Sequence, residues 1–217
     1  EQACVALRSV GLQENVGQFL MSTVKALVST IEAKDPYTSG HSARVNLISM
    51  LLGKQMGLVP DALEELRWAS ILHDVGKIGM PEAILNKRGP LSPEEFEIVK
   101  QHTWRGHEVL SHIGQLKGAS QAVLFHHERI DGGGYPMGIT RSAIPLAARI
   151  IAVADTFDAL TSNRPYRQAG NEEVAFAEIR RVSGVQLDND VVDVLAGMIP
   201  FLRDNRIMLE TAAERSA

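Results

Sequence analysis

Cysteine is almost missing: Cys4 stands alone among 217 residues, which excludes an intrachain disulfide framework and suits a reducing compartment. Long apolar runs are missing too. The best, Ile144 to Ala154, is interrupted by Arg149 and falls short of the ~18 residues a membrane span requires. No signal-peptide pattern opens the chain, so this domain is expected in the cytoplasm, with a membrane anchor elsewhere in the full-length protein left open. There is no basic excess either: 22 Lys and Arg against 26 Asp and Glu give a formal net charge of -4, which argues against a nucleic-acid binder. A local arginine cluster can still hold an anion against that overall sign. Strand-like alternation, internal repeats and low-complexity tracts are also lacking.

What is present is helical periodicity. With 45% hydrophobic residues, the length suits one globular domain of above-average size, or a domain with an extra segment, and it allows a real core. Val16, Leu20, Val24, Leu27 and Ile31 recur at helical spacing and predict a long amphipathic helix. Asp35-Pro36 disfavours its continuation past Lys34. This helix either packs on the domain or pairs with a second copy, as a homodimer, and carries a signal; its heptads are too few to separate the two. The expected division is a connector helix over 1–34 and a catalytic domain over 35–217. Since the chain starts at Glu1 rather than Met, a sensor or receiver domain is expected upstream.

Further helices are expected at about 40–56, 61–74, 92–111, 117–127, 145–161, 171–183 and 188–203. Ser92-Pro93-Glu94-Glu95 is a helix start with a serine cap, a first-turn proline and a glutamate at the third position. The longest irregular stretches, 75–91 and 128–144, are rich in Gly and Pro. The predicted fold is therefore an all-α bundle with two ordered loops, and loops of that length in a compact domain are usually functional.

Metal-binding side chains fall at the ends of these helices: His41, His73 with Asp74, His102, His126 with His127, and Asp155. Five of the seven histidines are among them. Any one alone has an ordinary explanation as a hydrogen-bonded core histidine or an exposed one. Asp155 is harder to dismiss, because Ile150, Ile151, Val153, Ala154, Phe157 and Leu160 leave its helix almost no polar face. Asp158 shares its side of that helix. A carboxylate there costs several kcal/mol unless a cation or hydrogen bonds answer it. The cation is a metal or an arginine such as Arg149. The same argument applies to Asp74, at a helix end made apolar by Trp68, Ile71, Leu72 and Val75.

Mixed imidazole and carboxylate donors suit Mn, Fe, Zn or Ni rather than Mg or Ca. Seven candidates exceed one site and match two metals sharing a bridging carboxylate, an arrangement that activates water and clamps phosphate in phosphoester hydrolysis. Lys77 follows Asp74 by one helical turn, either to neutralise phosphate charge or as an ordinary surface lysine. Arg164 and Arg167, in NRPYR, are either a phosphate clamp or a solvated helix end.

His73-Asp74 with Lys77, the run HHERIDGGGYP and the run DTFDALTSNRPYR strongly resemble the HD-GYP domain, a bacterial subgroup of the HD phosphohydrolases. The likeness runs from about Asp35 to Leu195 and includes DPYTSGHSARV, ILHDVGKIGMPEAIL and PLSPEEFEIVKQHTWRGHEVL. It implies an HD-domain helical bundle with an ordered GYP loop. It also implies a metal-dependent phosphodiesterase that hydrolyses cyclic di-GMP to pGpG, often onward to GMP, in second-messenger signalling; some members act on cyclic GMP-AMP. By the resemblance, His41, His73, Asp74 and Asp155 hold one metal. His102, His126 and His127 hold the other, with Asp74 bridging. The metals would be Fe or Mn, with Ni or Zn as alternatives. Lys77 assists the phosphate chemistry, Tyr135 contacts a guanine or holds the loop, Arg164 and Arg167 take the phosphates, and Asp35 lies near the site.

Three departures stand out. Tyr37 occupies a position where some members have a glutamate for a third metal, so two metals are expected. Thr103 follows His102 where proline is common, and Gly133 replaces a frequent serine. Two other function classes remain open: a receptor that binds the cyclic dinucleotide, or docks on a diguanylate cyclase through the GYP loop, with little turnover; and an HD hydrolase acting on ppGpp or dGTP.

Overall fold

The computed structural model describes residues 22–24, 26–34, 40–87, 89–162 and 172–204. Among them, eight α-helices form an all-α bundle: α1 (His41–Gln55), α2 (Pro60–Leu72), α3 (Glu82–Leu85), α4 (Pro93–Ser111), α5 (Lys117–Phe125), α6 (Leu146–Thr161), α7 (Glu172–Val182) and α8 (Asn189–Asp204). Of the expected N-terminal helix, residues 22–24 and 26–32 are helical, and residues 1–21 lie outside the described residues. The stretch 75–91 is less irregular than its Gly and Pro content suggests. It holds a 3-10 turn at Val75–Gly79 and the short α3.

Helix α6 is the centre. Ala148, Ile150, Ile151, Val153, Ala154 and Phe157 are all buried, so it has neighbours on most sides. Helices α1, α2, α5 and α7 pack on it, and α4 lies over α5 and the Val75–Gly79 turn. The core also takes Ile48 and Leu52 of α1, Leu66 and Leu72 of α2, and Val24 and Ile31 from the N-terminal segment. Helix α4 starts as its sequence dictates: Ser92 Oγ accepts from Glu95 N, Glu95 Oε2 accepts from Ser92 N, and Pro93 opens the first turn. Among the described residues no helix is long and apolar enough to cross a membrane.

One glycine decides how closely two of these pieces approach. A Cβ on Gly76 would lie 1.9 Å from the backbone oxygen of His102 and 2.7 Å from the nitrogen of Gly106. The Val75–Gly79 turn therefore rests directly on the backbone of α4, which brings Asp74 to His102. Gly76→Ala should lower stability by about 3 kcal/mol or more, at or beyond the upper end for overpacking. Gly79→Ala meets only the flexible end of Arg105, at 3.1 Å, and should be tolerated. Urea midpoints of the metal-free proteins test the pair; equal midpoints would refute the close-packing account.

Candidate metal centre

Five elements deliver side chains to one place. His41 is the first residue of α1, and His73 and Asp74 follow α2. His102 lies within α4, His126 and His127 follow α5, and Asp155 lies within α6. Two groups result, each with donor atoms within 4.8 Å of one another: His41, His73 and Asp155; and Asp74, His102, His126 and His127. Asp74 faces both. Its Oδ2 is 3.5 Å from His73 Nε2, and its Oδ1 is 3.5 Å from His102 Nε2. His41 Nε2 is 3.3 Å from Asp155 Oδ1. All seven ligand candidates are thus brought together, arranged as two clusters consistent with a binuclear divalent-metal centre.

The outer hydrogen bonds orient the rings. His73 Nδ1 donates to Ser70 O, His102 Nδ1 to Val99 O, and His126 Nδ1 to Val123 O, at 2.7–2.8 Å. His41 Nδ1 donates to Asp158 Oδ2 at 2.8 Å. A carbonyl can only accept, so these partners put the proton on Nδ1 and leave the Nε2 lone pairs aimed inward. His102 Nε2 and His126 Nε2 face each other at 3.4 Å. Burial holds both rings below the usual histidine pKa, so neither supplies a proton to that contact. Burial, reinforced by His102, takes His127 down to about 3. Facing lone pairs in a buried site are repulsive, and a cation between them removes the conflict. The donor set fits a transition metal on that ground. His41 differs: burial opposes its charge, but the Asp158 hydrogen bond and the carboxylates of Asp155 and Asp74 outweigh this and raise its pKa. Those are the same carboxylates that a cation would neutralise.

Lys77 Nζ lies 2.6 Å from Asp74 Oδ2. Burial works against the Asp74 charge, yet Lys77 and the surrounding imidazoles hold its carboxyl well below the ordinary range. Arg149, the alternative partner for Asp155, instead joins Arg141 on the buried Asp188. Asp155 keeps some solvent access, with its side chain 22% exposed.

The 128–144 loop is fixed without strands. Its backbone reaches across to 185–186: Asp131 N donates to Val185 O at 3.1 Å and Ile130 N to Gln186 O at 3.3 Å. The buried Glu128 accepts from Met137 N, Gly138 N and Ile139 N at 2.6–3.1 Å. Of the three consecutive glycines only Gly132 has a positive φ, 81°. Gly134 is needed for a different reason, since a Cβ there would meet Arg129 N at 2.3 Å. Tyr135 N donates to His127 O at 3.2 Å, and its ring lies 4.9 Å from that of His127 and 6.0 Å from that of Phe96. Burial and the nearby Asp74 and Asp155 raise the Tyr135 pKa, so its phenol stays protonated. Asp35, Tyr37, Arg164 and Arg167 lie outside the described residues.

Sequence reasoning missed three supports. Asp158 was noted only for sharing a face with Asp155, yet it holds both His41 and Arg44. Glu128 sits directly after the histidine pair without a sequence signal of its own. Glu32 reaches the start of α1 through two backbone hydrogen bonds.

The sequence profile of the HD domain family matches residues 25–191. This chain belongs to the HD-domain family. Among similar proteins, a cyclic di-GMP phosphodiesterase of Thermotoga maritima is 42% identical over 177 residues, covering 81% of this HD-domain chain and 48% of that protein. A 3'3'-cGAMP-specific phosphodiesterase of Vibrio cholerae is 34% identical over 198 residues, covering 91% and 43%. The HD-domain chain thus spans less than half the length of these relatives. The crystal structure of a cyclic GMP-AMP-specific phosphodiesterase from V. cholerae superposes with a TM-score of 0.64 at 22% identity, covering 89% of this chain and 52% of that one. That likeness shows the shared fold.

Proposed function

We propose that this HD domain is a cyclic-dinucleotide phosphodiesterase of the HD-GYP type, acting on cyclic di-GMP and yielding pGpG, GMP or both. The observation that carries the reading is the meeting of two histidine-rich clusters at the two oxygens of Asp74. The names of the relatives support the substrate class, and the V. cholerae relative makes 3'3'-cGAMP the second candidate.

In this reading His41, His73, Asp74 and Asp155 hold one cation, and Asp74, His102, His126 and His127 hold the other. The mixed donors suit Mn, Fe, Zn or Ni, and the resemblance to the HD-GYP domain favours iron or manganese among them. Two such cations supply charge neutralisation at the phosphate and a nucleophile from water near neutral pH. The chain's own groups do the rest. Lys77, beside Asp74, places a positive charge at the phosphate or donates a proton to the departing 3′ oxygen. Tyr135 keeps its proton and offers a ring face to a guanine next to His127. Asp35, Arg164 and Arg167 are proposed to approach the same ligand, the two arginines taking its phosphates. The loop at 128–144 is also the proposed docking surface for a diguanylate cyclase, and the segment before His41 the proposed site of pairing between two copies.

Protein loaded with Mn or Fe should convert cyclic di-GMP to pGpG or GMP, with 3'3'-cGAMP, ppGpp and dGTP as comparisons and chromatography identifying the products. Two metals bound with no turnover of either cyclic dinucleotide would overturn the enzyme reading in favour of a receptor.

A further inference from the structure

Helix α1 begins without a cap of its own. Its N-cap is Gly40, in the left-handed region at φ 68°, with no side chain to offer, and no acidic residue lies in the first turn. The missing acceptor comes from another segment. Glu32 Oε2 accepts from Gly40 N at 2.9 Å, and Glu32 Oε1 accepts from Ser42 N at 2.9 Å. These two backbone groups flank His41 on either side in the chain. The carboxylate therefore clamps the backbone that carries a ligand candidate, and it favours the positive end of the helix.

Glu32 is itself anchored. Ile31 beside it is buried in the core. Just beyond, the carbonyl of Lys34 accepts from Asn86 Nδ2 at 3.1 Å. Val28, Ile31 and Glu32 share one small cavity with His41, Asp74 and Lys77. The His41 ring is fixed separately, by Asp158 of α6. Its backbone thus answers to the N-terminal segment and its ring to the central helix.

We infer that Glu32 is a positioning residue for His41: through Gly40 and Ser42 it sets where His41 Nε2 meets His73 and Asp155, so that the N-terminal segment tunes one metal position and not the other. This rests on the binuclear reading. A ligand displaced by an ångström loses metal affinity even when the fold survives, and removal of an outer partner typically costs 10–100-fold.

The test is Mn(II) titration of the metal-free full chain by calorimetry, well below its unfolding midpoint. Wild type should take two ions. Glu32→Ala should weaken one by about 10-fold and leave the other within about twofold. Glu32→Gln, which keeps one acceptor oxygen, should fall between them, and it serves in place of the alanine variant if that fails to fold. Leu195→Ala, a cavity in α8, should lower the thermal midpoint while leaving both affinities unchanged. Unchanged binding in both Glu32 variants, or an equal change in Leu195→Ala, overturns the inference. Fewer than two ions in wild type overturns the binuclear reading and this inference together.

Discussion

Asp74→Ala should release both metals and reduce cyclic-dinucleotide hydrolysis by more than ~100-fold, since loss of even an outer partner of a metal ligand costs 10–100-fold and Asp74 is proposed to touch both ions directly. The reason lies in its two oxygens, one turned to His73 and the other to His102. Without them each cluster keeps three donors, but the negative charge between the clusters is gone. Lys77, now 2.6 Å from Asp74, then loses that counter-charge beside the place where two cations must sit. Asp74→Asn preserves the shape and removes the charge, so it should retain at most one metal. Elemental analysis of anaerobically purified protein, paired with product identification, measures both effects. An alanine variant that keeps two ions and its activity would show that the bridge lies elsewhere.

The parts of this centre that could be read from the sequence were those with local signatures. Helix α4 announced itself through Ser92, Pro93 and Glu95, because capping is a short-range interaction. The ligand candidates stood out because imidazoles and carboxylates at apolar helix ends need a partner. Their partners could not be read in the same way. Asp155 was as well matched to Arg149 as to a metal until the fold sent Arg149 to Asp188, 39 residues away. The GGG run illustrates the same limit. Three identical residues look alike in one dimension, whereas only Gly132 uses a positive φ and Gly134 is required by contact with Arg129, a constraint set by the way the loop folds back. Glu32, Arg44 and Glu128 are charged residues that look like solvated surface in one dimension. Each acts on a segment brought to it by the bundle.

Asp158→Asn should be the substitution most damaging to metal binding outside the ligand candidates themselves. The Asp158 carboxylate accepts from Arg44 Nε at 2.6 Å, from His41 Nδ1 at 2.8 Å and from Ser162 Oγ at 3.2 Å. Burial opposes its charge, but these hydrogen bonds from His41 and Arg44 prevail and hold its pKa at about 2. An asparagine offers one oxygen and one NH2 to the nitrogen donors of His41 and Arg44. If the NH2 faces His41, the imidazole must accept at Nδ1, and its proton moves to Nε2, the atom aimed at the metal position. If it faces Arg44, two donors collide in a nearly buried place. Metal affinity should fall ~10–100-fold and stability by about 3 kcal/mol, as expected when one partner of a buried ion pair is removed. The sign of the pH dependence is fixed by the depressed pKa. The carboxylate contributes stability above the unfolded value of 3.8, and this is lost as pH falls through about 2. That contribution is about 2 kcal/mol. Urea midpoints of the metal-free proteins should therefore differ widely at pH 7 and converge as the pH approaches 2. A gap that stays constant across that range would mean that Asp158 acts through packing alone, and that His41 owes its orientation to something else.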